Sequence, residues 1–183
     1  MSDFQESGIN FSFQDASWAI IKYDEHIAHR KVEKVLKPTK AVDFMGIHEE
    51  KQLFLIEVKN YRGHTRDEST RAVLNVGGEE LMRRIAVKVR DSIATTTGAA
   101  RFSTNDEEFF TQINSRLLDS GVQLTIIACI EWDEANQVER KARMGIWLQK
   151  LKQKLVWLQP VKVSVNSVSN ITGILPDVQV SFA

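Results

Sequence analysis

The sequence predicts a layered α/β domain with a mixed central sheet. Three observations predict it. Residues 41–47 and 52–59 are two short apolar runs rich in β-formers, joined by the polar connector His48-Glu-Glu-Lys51, and they read as an antiparallel hairpin. Residues 122–132 are apolar at nearly every position, the pattern of a strand buried on both faces. Around these strands the order runs helix, hairpin, helices, buried strand, helix, strands, and helices laid on a sheet is the layered arrangement that order implies.

In chain order, residues 1–15 read as an irregular or strand-like lead-in in which Ile9, Phe11 and Phe13 alternate. Residues 16–36 place Trp18, Ile21, Ala28, Val32, Val35 and Leu36 on one side at helical spacing, so mainly helix is expected, ending before Pro38. Trp18-Ala-Ile-Ile-Lys-Tyr23 taken alone also fits a strand. After the hairpin, residues 60–77 are polar and read as a loop. Residues 79–95 form a helix with a stripe of Leu81, Met82, Ile85, Val89 and Ile93, while Arg83 and Arg90 face away. Residues 104–119 form another, opened by the capping-box spacing of Thr104-Asn-Asp-Glu107 and buried through Phe109, Phe110, Ile113 and Leu117. Residues 136–158 turn Met144, Trp147, Leu148, Leu151, Leu155 and Leu158 inward, and residues 161–165 and 178–182 alternate as late strands. No stretch reads as a linker, so residues 1–183 are expected to form one domain.

Composition narrows the function classes. The chain has 24 basic and 24 acidic residues, and zero net charge argues against a protein held to nucleic acid by bulk charge. The distribution is uneven: residues 101–135 carry two bases and seven acids, residues 136–183 seven bases and two acids, an asymmetry that points to a polyanionic partner. The single cysteine, Cys129, excludes an internal disulfide and a cysteine-based zinc site, and its apolar run marks it as a small core residue. The first residues lack the basic and apolar regions of a signal peptide, and no apolar run reaches the ~20 residues that span a bilayer, so a soluble cytoplasmic protein with no membrane partner is expected.

The hairpin carries the chemistry. With its turn near residue 50, opposed residues have numbers summing to about 100, so Asp43 faces Glu57 and both point to one side of the sheet. Lys59, two residues beyond Glu57, shares that side. Carboxylates on neighbouring strands repel, and something must compensate. Lys59 neutralising Glu57 at a solvated sheet end is the plain answer. A hard divalent cation is the functional one: Mg²⁺ takes one or two carboxylates with backbone oxygen and water and keeps positions open for phosphate.

Asp43, thirteen intervening residues, then Glu57-Val58-Lys59, on consecutive hairpin strands, resembles the PD-(D/E)XK nuclease superfamily. The motif match covers residues 42–59. The resemblance implies a restriction-endonuclease-like αβββαβ core with helices flanking a mixed sheet. It implies a nuclease that hydrolyses phosphodiester bonds with Mg²⁺ or Mn²⁺, with DNA favoured over RNA. Asp43, Glu57 and the carbonyl of Val58 would be the metal ligands, and Lys59 would align the attacking water or stabilise the transition state. Val42 stands where the family often has proline. The family's upstream helical acid has no clear counterpart: Asp24 and Glu25 lie on the apolar side if residues 18–36 are one helix, Glu33 points away, and Glu25 is better read as a partner of His29 or Lys22. A non-catalytic binding or assembly subunit with a structural trio is the alternative. A homodimer would suit a nuclease that cuts two strands.

Other residues are weaker candidates for gripping nucleic acid. Lys88, at the edge of its helix stripe, reads as a phosphate contact or, more simply, as a lysine extending past the core. Arg140, Lys141 and Arg143, with Lys150, Lys152 and Lys154, make residues 136–158 a basic helix, read either as a backbone-gripping surface or as solvated flanks balanced by residues 101–135. The four histidines form no zinc pattern. Val76-Gly77-Gly78-Glu79 is read as a flexible helix lead-in rather than an anion cradle, since no Lys-Ser/Thr follows.

Overall fold

The hairpin forms in the expected register. Phe44 lies opposite Ile56 and His48 opposite Gln52, every pair summing to 100. Glu49 and Glu50 turn the chain with left-handed φ values of 46° and 59°. The structure, a computed structural model, describes residues 1–74 and 77–183. In order, the elements are β1 (Ser2–Glu6), β2 (Ile9–Phe13), β3 (Trp18–Lys22), α1 (Ile27–Val35), β4 (Phe44–His48), β5 (Gln52–Asn60), α2 (Glu68–Val73), α3 (Glu79–Phe102), α4 (Glu107–Leu118), β6 (Gln123–Glu131), α5 (Gln137–Lys154), a 3-10 turn (Val156–Leu158), β7 (Lys162–Asn166), α6 (Val168–Ile171) and β8 (Val178–Phe182).

The central sheet is mixed, in the order β3-β4-β5-β6-β7. β3, β4 and β5 run antiparallel, whereas β6 and β7 join parallel to β5. Parallel neighbours need a crossover of a dozen residues or more, and α2 to α4 and then α5 supply them. A second sheet, β1-β2-β8, is antiparallel throughout.

Strand alternation sorts the β5 side chains between two cores. Leu53 and Leu55 face the helices with Leu81, Met82, Ile85, Val89, Phe110 and Trp147. Phe54, Ile56 and Val58 face the small sheet and α6, packed with Ile9, Phe11, Phe13 and Phe44. Asp43, Glu57 and Lys59 share the odd-numbered phase and therefore belong to the helical side. Gly46 marks a close strand contact, for a Cβ there would sit 2.4 Å from Ile20 Cδ1.

Several expectations change. Residues 16–36 split into β3, a turn and α1. β3 pairs along β4, Trp18 packs on Phe13, His48 and Phe54, and His26 caps the helix through Nδ1, so tertiary pairing overrides the helical spacing. Val35 and Leu36, expected inward, are exposed. Residues 60–77 are not all loop, since α2 forms among them. The helix expected over 79–95 runs on to Phe102 through Thr95-Thr96-Thr97-Gly98. The threonines stay helical by bonding back to the chain, Thr95 Oγ1 to Asp91 O (2.8 Å) and Thr97 Oγ1 to Ile93 O (3.1 Å). The capping box does not form: Asp106, in a left-handed conformation, is the N-cap of α4, and Thr104 bonds Asn105 instead. α5 stops at Lys154, and Leu148 and Leu158 are only partly buried.

Of the residues before α3, Val76 lies outside the described ones. Gly78 takes the N-cap at φ 56°, and a Cβ there would meet the Trp147 indole at 2.2 Å. Glu79 and Glu80 occupy the first turn, where their charge disfavours a second anion. Among the described residues no helix is long and apolar enough to cross a membrane.

Candidate functional site

The segment leading into β4 is tied to α3. Lys40 N donates to Asp91 Oδ2 (3.1 Å) and Val42 N to Ser92 Oγ (2.9 Å). Asp43 thereby meets β5 where that strand projects past β4. Its Oδ2 accepts from Val58 N at 2.6 Å, and its carbonyl accepts from Tyr23 N at 2.8 Å. A backbone donor to a carboxylate is a strong, orienting bond, so Asp43 holds one direction.

Glu57 is placed beside it, as the register requires. Both are almost fully buried, at 2% and 1% exposure. Lys88 on α3 reaches into the gap, 3.2 Å from Asp43 Oδ1 and 2.8 Å from Glu57 Oε1. Lys59 lies 2.5 Å from the same Glu57 oxygen and donates to Val58 O at 3.0 Å. Glu57 Oε2 has no hydrogen-bond partner among the described residues. Burial, and then the Asp43 charge, push the Glu57 carboxyl up to about 7 despite both ammonium groups. Burial works against the Lys59 ammonium, but Glu57 and Asp43 outweigh it and hold its pKa above the usual value.

A second group of acids adjoins the first. Glu6, Asp24 and Asp43 each offer an oxygen within 4.8 Å of the others. Burial, followed by the Asp43 and Glu6 charges, pushes Asp24 up to about 6, and its buried Oδ1 has no partner among the described residues. Lys22 bridges Glu6 (3.0 Å) and Glu25 (2.8 Å). Glu25 is therefore the lysine partner that the sequence favoured, and Asp24, in the turn after β3, is the acid brought to Asp43.

Asp43 Oδ1, Glu57 Oε1 and the Val58 carbonyl form an all-oxygen donor set, each atom contacted by a lysine ammonium. Hard divalent cations take such a set, and the fit is chemical: negative, buried, and served now only by the ends of two flexible side chains. Beside the trio opens a cavity of about 490 Å³, with Lys40, Tyr61 and Arg84 on its walls.

The basic helix is largely committed elsewhere. Arg140 pairs with Glu131 at 2.5 Å over the Trp132 ring, and Arg143 reaches Glu134 (3.8 Å) and Leu74 O (3.3 Å). Lys150 and Lys154 both pair with Glu79, outside the acidic stretch 101–135 that was expected to balance them. Lys141 remains exposed.

The histidines disperse. His26 caps α1 and bonds Asp106, His29 is buried beside Tyr23, and His64 pairs with Asp67. His48 pairs with Asp177 at 3.0 Å, with Glu49 close by, a grouping that their spacing in sequence does not reveal. Cys129 is buried, and burial pushes its thiol up to about 12, as befits a core residue.

Sequence reasoning missed Glu6, which arrives from the far sheet, and the cavity residues Lys40, Tyr61 and Arg84. Only Arg84 left a signal, four residues before Lys88 on one helix face.

Fold and site define an α/β protein with a mixed five-stranded sheet and a buried carboxylate–lysine cluster beside a cavity. No family model, curated protein or solved structure matches the chain.

Proposed function

We propose that the chain is a divalent-metal-dependent nuclease, similar to the PD-(D/E)XK superfamily, acting on DNA in preference to RNA. One observation carries the reading. Asp43 and Glu57 are buried side by side in the expected register, with Glu57 Oε2 left without a hydrogen-bond donor among the described residues. Both ammonium groups meet Oε1, and a buried carboxylate oxygen without a donor costs stability that a bound cation would offset. The strand order supports the reading in part. Three antiparallel strands, then α3 and α4, then a parallel strand agree with the βββαβ portion of the expected core. Its leading helix has no counterpart ahead of β3, and α1 falls between β3 and β4 instead.

On this reading Asp43, Glu57 and Val58 O would hold Mg²⁺ or Mn²⁺ in place of the Lys59 and Lys88 ammonium groups that contact them. A divalent ion held there would supply the positive charge that lowers the pKa of a bound water and offsets charge growing on a phosphate oxygen. Lys59, freed from the Val58 carbonyl, donates to the attacking water and aligns it. Lys88 turns to the phosphate, the role that its position between both acids suits.

The test is a cleavage screen over single-stranded, duplex and branched DNA and RNA with Mn²⁺, using the parent, Asp43→Ala and Lys59→Ala proteins. Cleavage by the parent, lost in both folded variants, is expected. Equal rates in all three proteins would sink the assignment. The second reading, a non-catalytic subunit, draws on the same ammonium groups, which already neutralise the trio. A melting shift with Mn²⁺ that disappears in Glu57→Gln favours the enzyme, and silence in both proteins favours the subunit.

A further inference from the structure

We propose that the cavity beside Glu57, Lys59 and Lys88 receives the unstacked end of a single nucleic-acid strand, with Tyr61 stacking on a base and Lys40 and Arg84 holding its phosphates. The proposal rests on the nuclease reading and names its substrate form.

Charge points to the occupant. Among the described residues, Lys40, Lys59, Arg83, Arg84 and Lys88 line the cavity with the acids Glu57 and Glu80, while Asp43 pairs with Lys88 behind them, in a chain with no net charge. Lys40 is exposed and has no ion-pair partner among the described residues. Among the described residues Arg84 hydrogen-bonds Glu80 through Nε, at 2.8 Å, with its terminal nitrogens turned to no other carboxylate. The ligand is therefore polyanionic.

The walls say that it also carries an apolar plane. Pro38, Tyr61 and Val87 contribute carbon surface between these cations, over the buried Leu81 and Ile85. Tyr61 is half-buried, so its ring is held in place while part of it faces the space. Cations alternating with an aromatic platform form the usual arrangement for single strands, because every base offers a face to stack.

Size excludes the duplex. At about 490 Å³ the cavity falls in the roughly 300–1,000 Å³ range of sites that enclose one small molecule. A double helix, whose major groove alone is about 12 Å wide, stays outside. The helix that would otherwise grip a duplex pairs Arg140 and Arg143 with Glu131 and Glu134, and Lys150 and Lys154 with the exposed Glu79. A duplex thus reaches Glu57 only by fraying its end or extruding a base.

The experiment reads binding without turnover. Fluorescence anisotropy of the full chain in EDTA, and again in Ca²⁺, compares a labelled twelve-nucleotide single strand, the matching blunt duplex and unlabelled mononucleotide as competitor. We expect the single strand to bind at least about tenfold tighter than the duplex. Tyr61→Ala should weaken it by about tenfold or more, the size of one base–aromatic stack, while Tyr61→Phe retains it. Lys40→Ala should flatten the slope of log affinity against log salt by about 0.7, one single-strand phosphate contact. Lys162→Ala, at the exposed start of β7, should change nothing. Equal affinity for the duplex overturns the proposal, as does an unchanged folded Tyr61→Ala. A mononucleotide competing as well as the strand also overturns it, in favour of a small-nucleotide site. Strand binding without cleavage would remove the nuclease reading and leave the cavity assignment standing.

Discussion

The two faces of β5 are made from alternate residues of one strand, yet they solve opposite problems. Towards the small sheet, Phe54, Ile56 and Val58 meet Phe11, Phe13, Phe44 and Trp18, a face whose ring pairs lie 5.0–6.4 Å apart. Towards the helices, Leu53 and Leu55 give way at the strand's end to Glu57 and Lys59, against Asp43 and Lys88. The apolar face gains its stability from area and fit. The charged end spends stability, since burial raises the Glu57 carboxyl even with two lysines present. One face secures the sheet so that the other can keep carboxylates out of water.

Three substitutions break or sharpen that contrast. The largest effect is expected from Phe11→Ala, which opens the aromatic cluster and costs about 3–5 kcal/mol of unfolding free energy by denaturant titration. The Mn²⁺ melting shift survives it if the two faces act independently, and its loss would show them coupled. Lys88→Met comes next. It strips one cation from two buried acids and costs about 1–3 kcal/mol in chelator, part of which Mn²⁺ restores. A smaller effect of opposite sign is expected from Glu57→Gln. The parent's Glu57 carboxyl is held at about 7 against an ordinary 4.5, so the unfolded chain releases this proton first. The fold therefore loses stability as pH rises from about 4.5 to 7, with the full penalty above that range. In chelator, Glu57→Gln should melt higher than the parent at pH 8 and nearly level with it at pH 4, and a constant difference across that range would refute the assignment.

The hairpin was legible because two runs of β-formers and a short polar connector leave one register, and that register alone places Asp43 against Glu57. β6 was legible from its unbroken apolar run. The β3–α1 boundary was not, because Trp18, Ile21 and Ala28 satisfy helical spacing while Trp18–Lys22 also satisfies a strand, and only pairing with β4 decides. The far end of α3 was hidden by three threonines and a glycine that tertiary contacts rescue, with Tyr23 Oη meeting Thr95 Oγ1 at 2.7 Å. Within the site, the residues on one hairpin could be read together. Glu6 and Asp24 could not, since each arrives through strand placement that no local spacing encodes.

β2 lies between β1 and β8, so a strand near the start of the chain waits for one made from residues 178–182. During synthesis at about 5–20 residues per second, that wait is on the order of 10–30 s. Throughout it, Phe11 and Phe13 offer an aromatic edge to any passing strand, while the helices on the opposite face can already close over Leu53 and Leu55. The nascent protein is thus most prone to mispairing on the small-sheet side of β5, and a ribosome that pauses before Val178 would prolong that exposure.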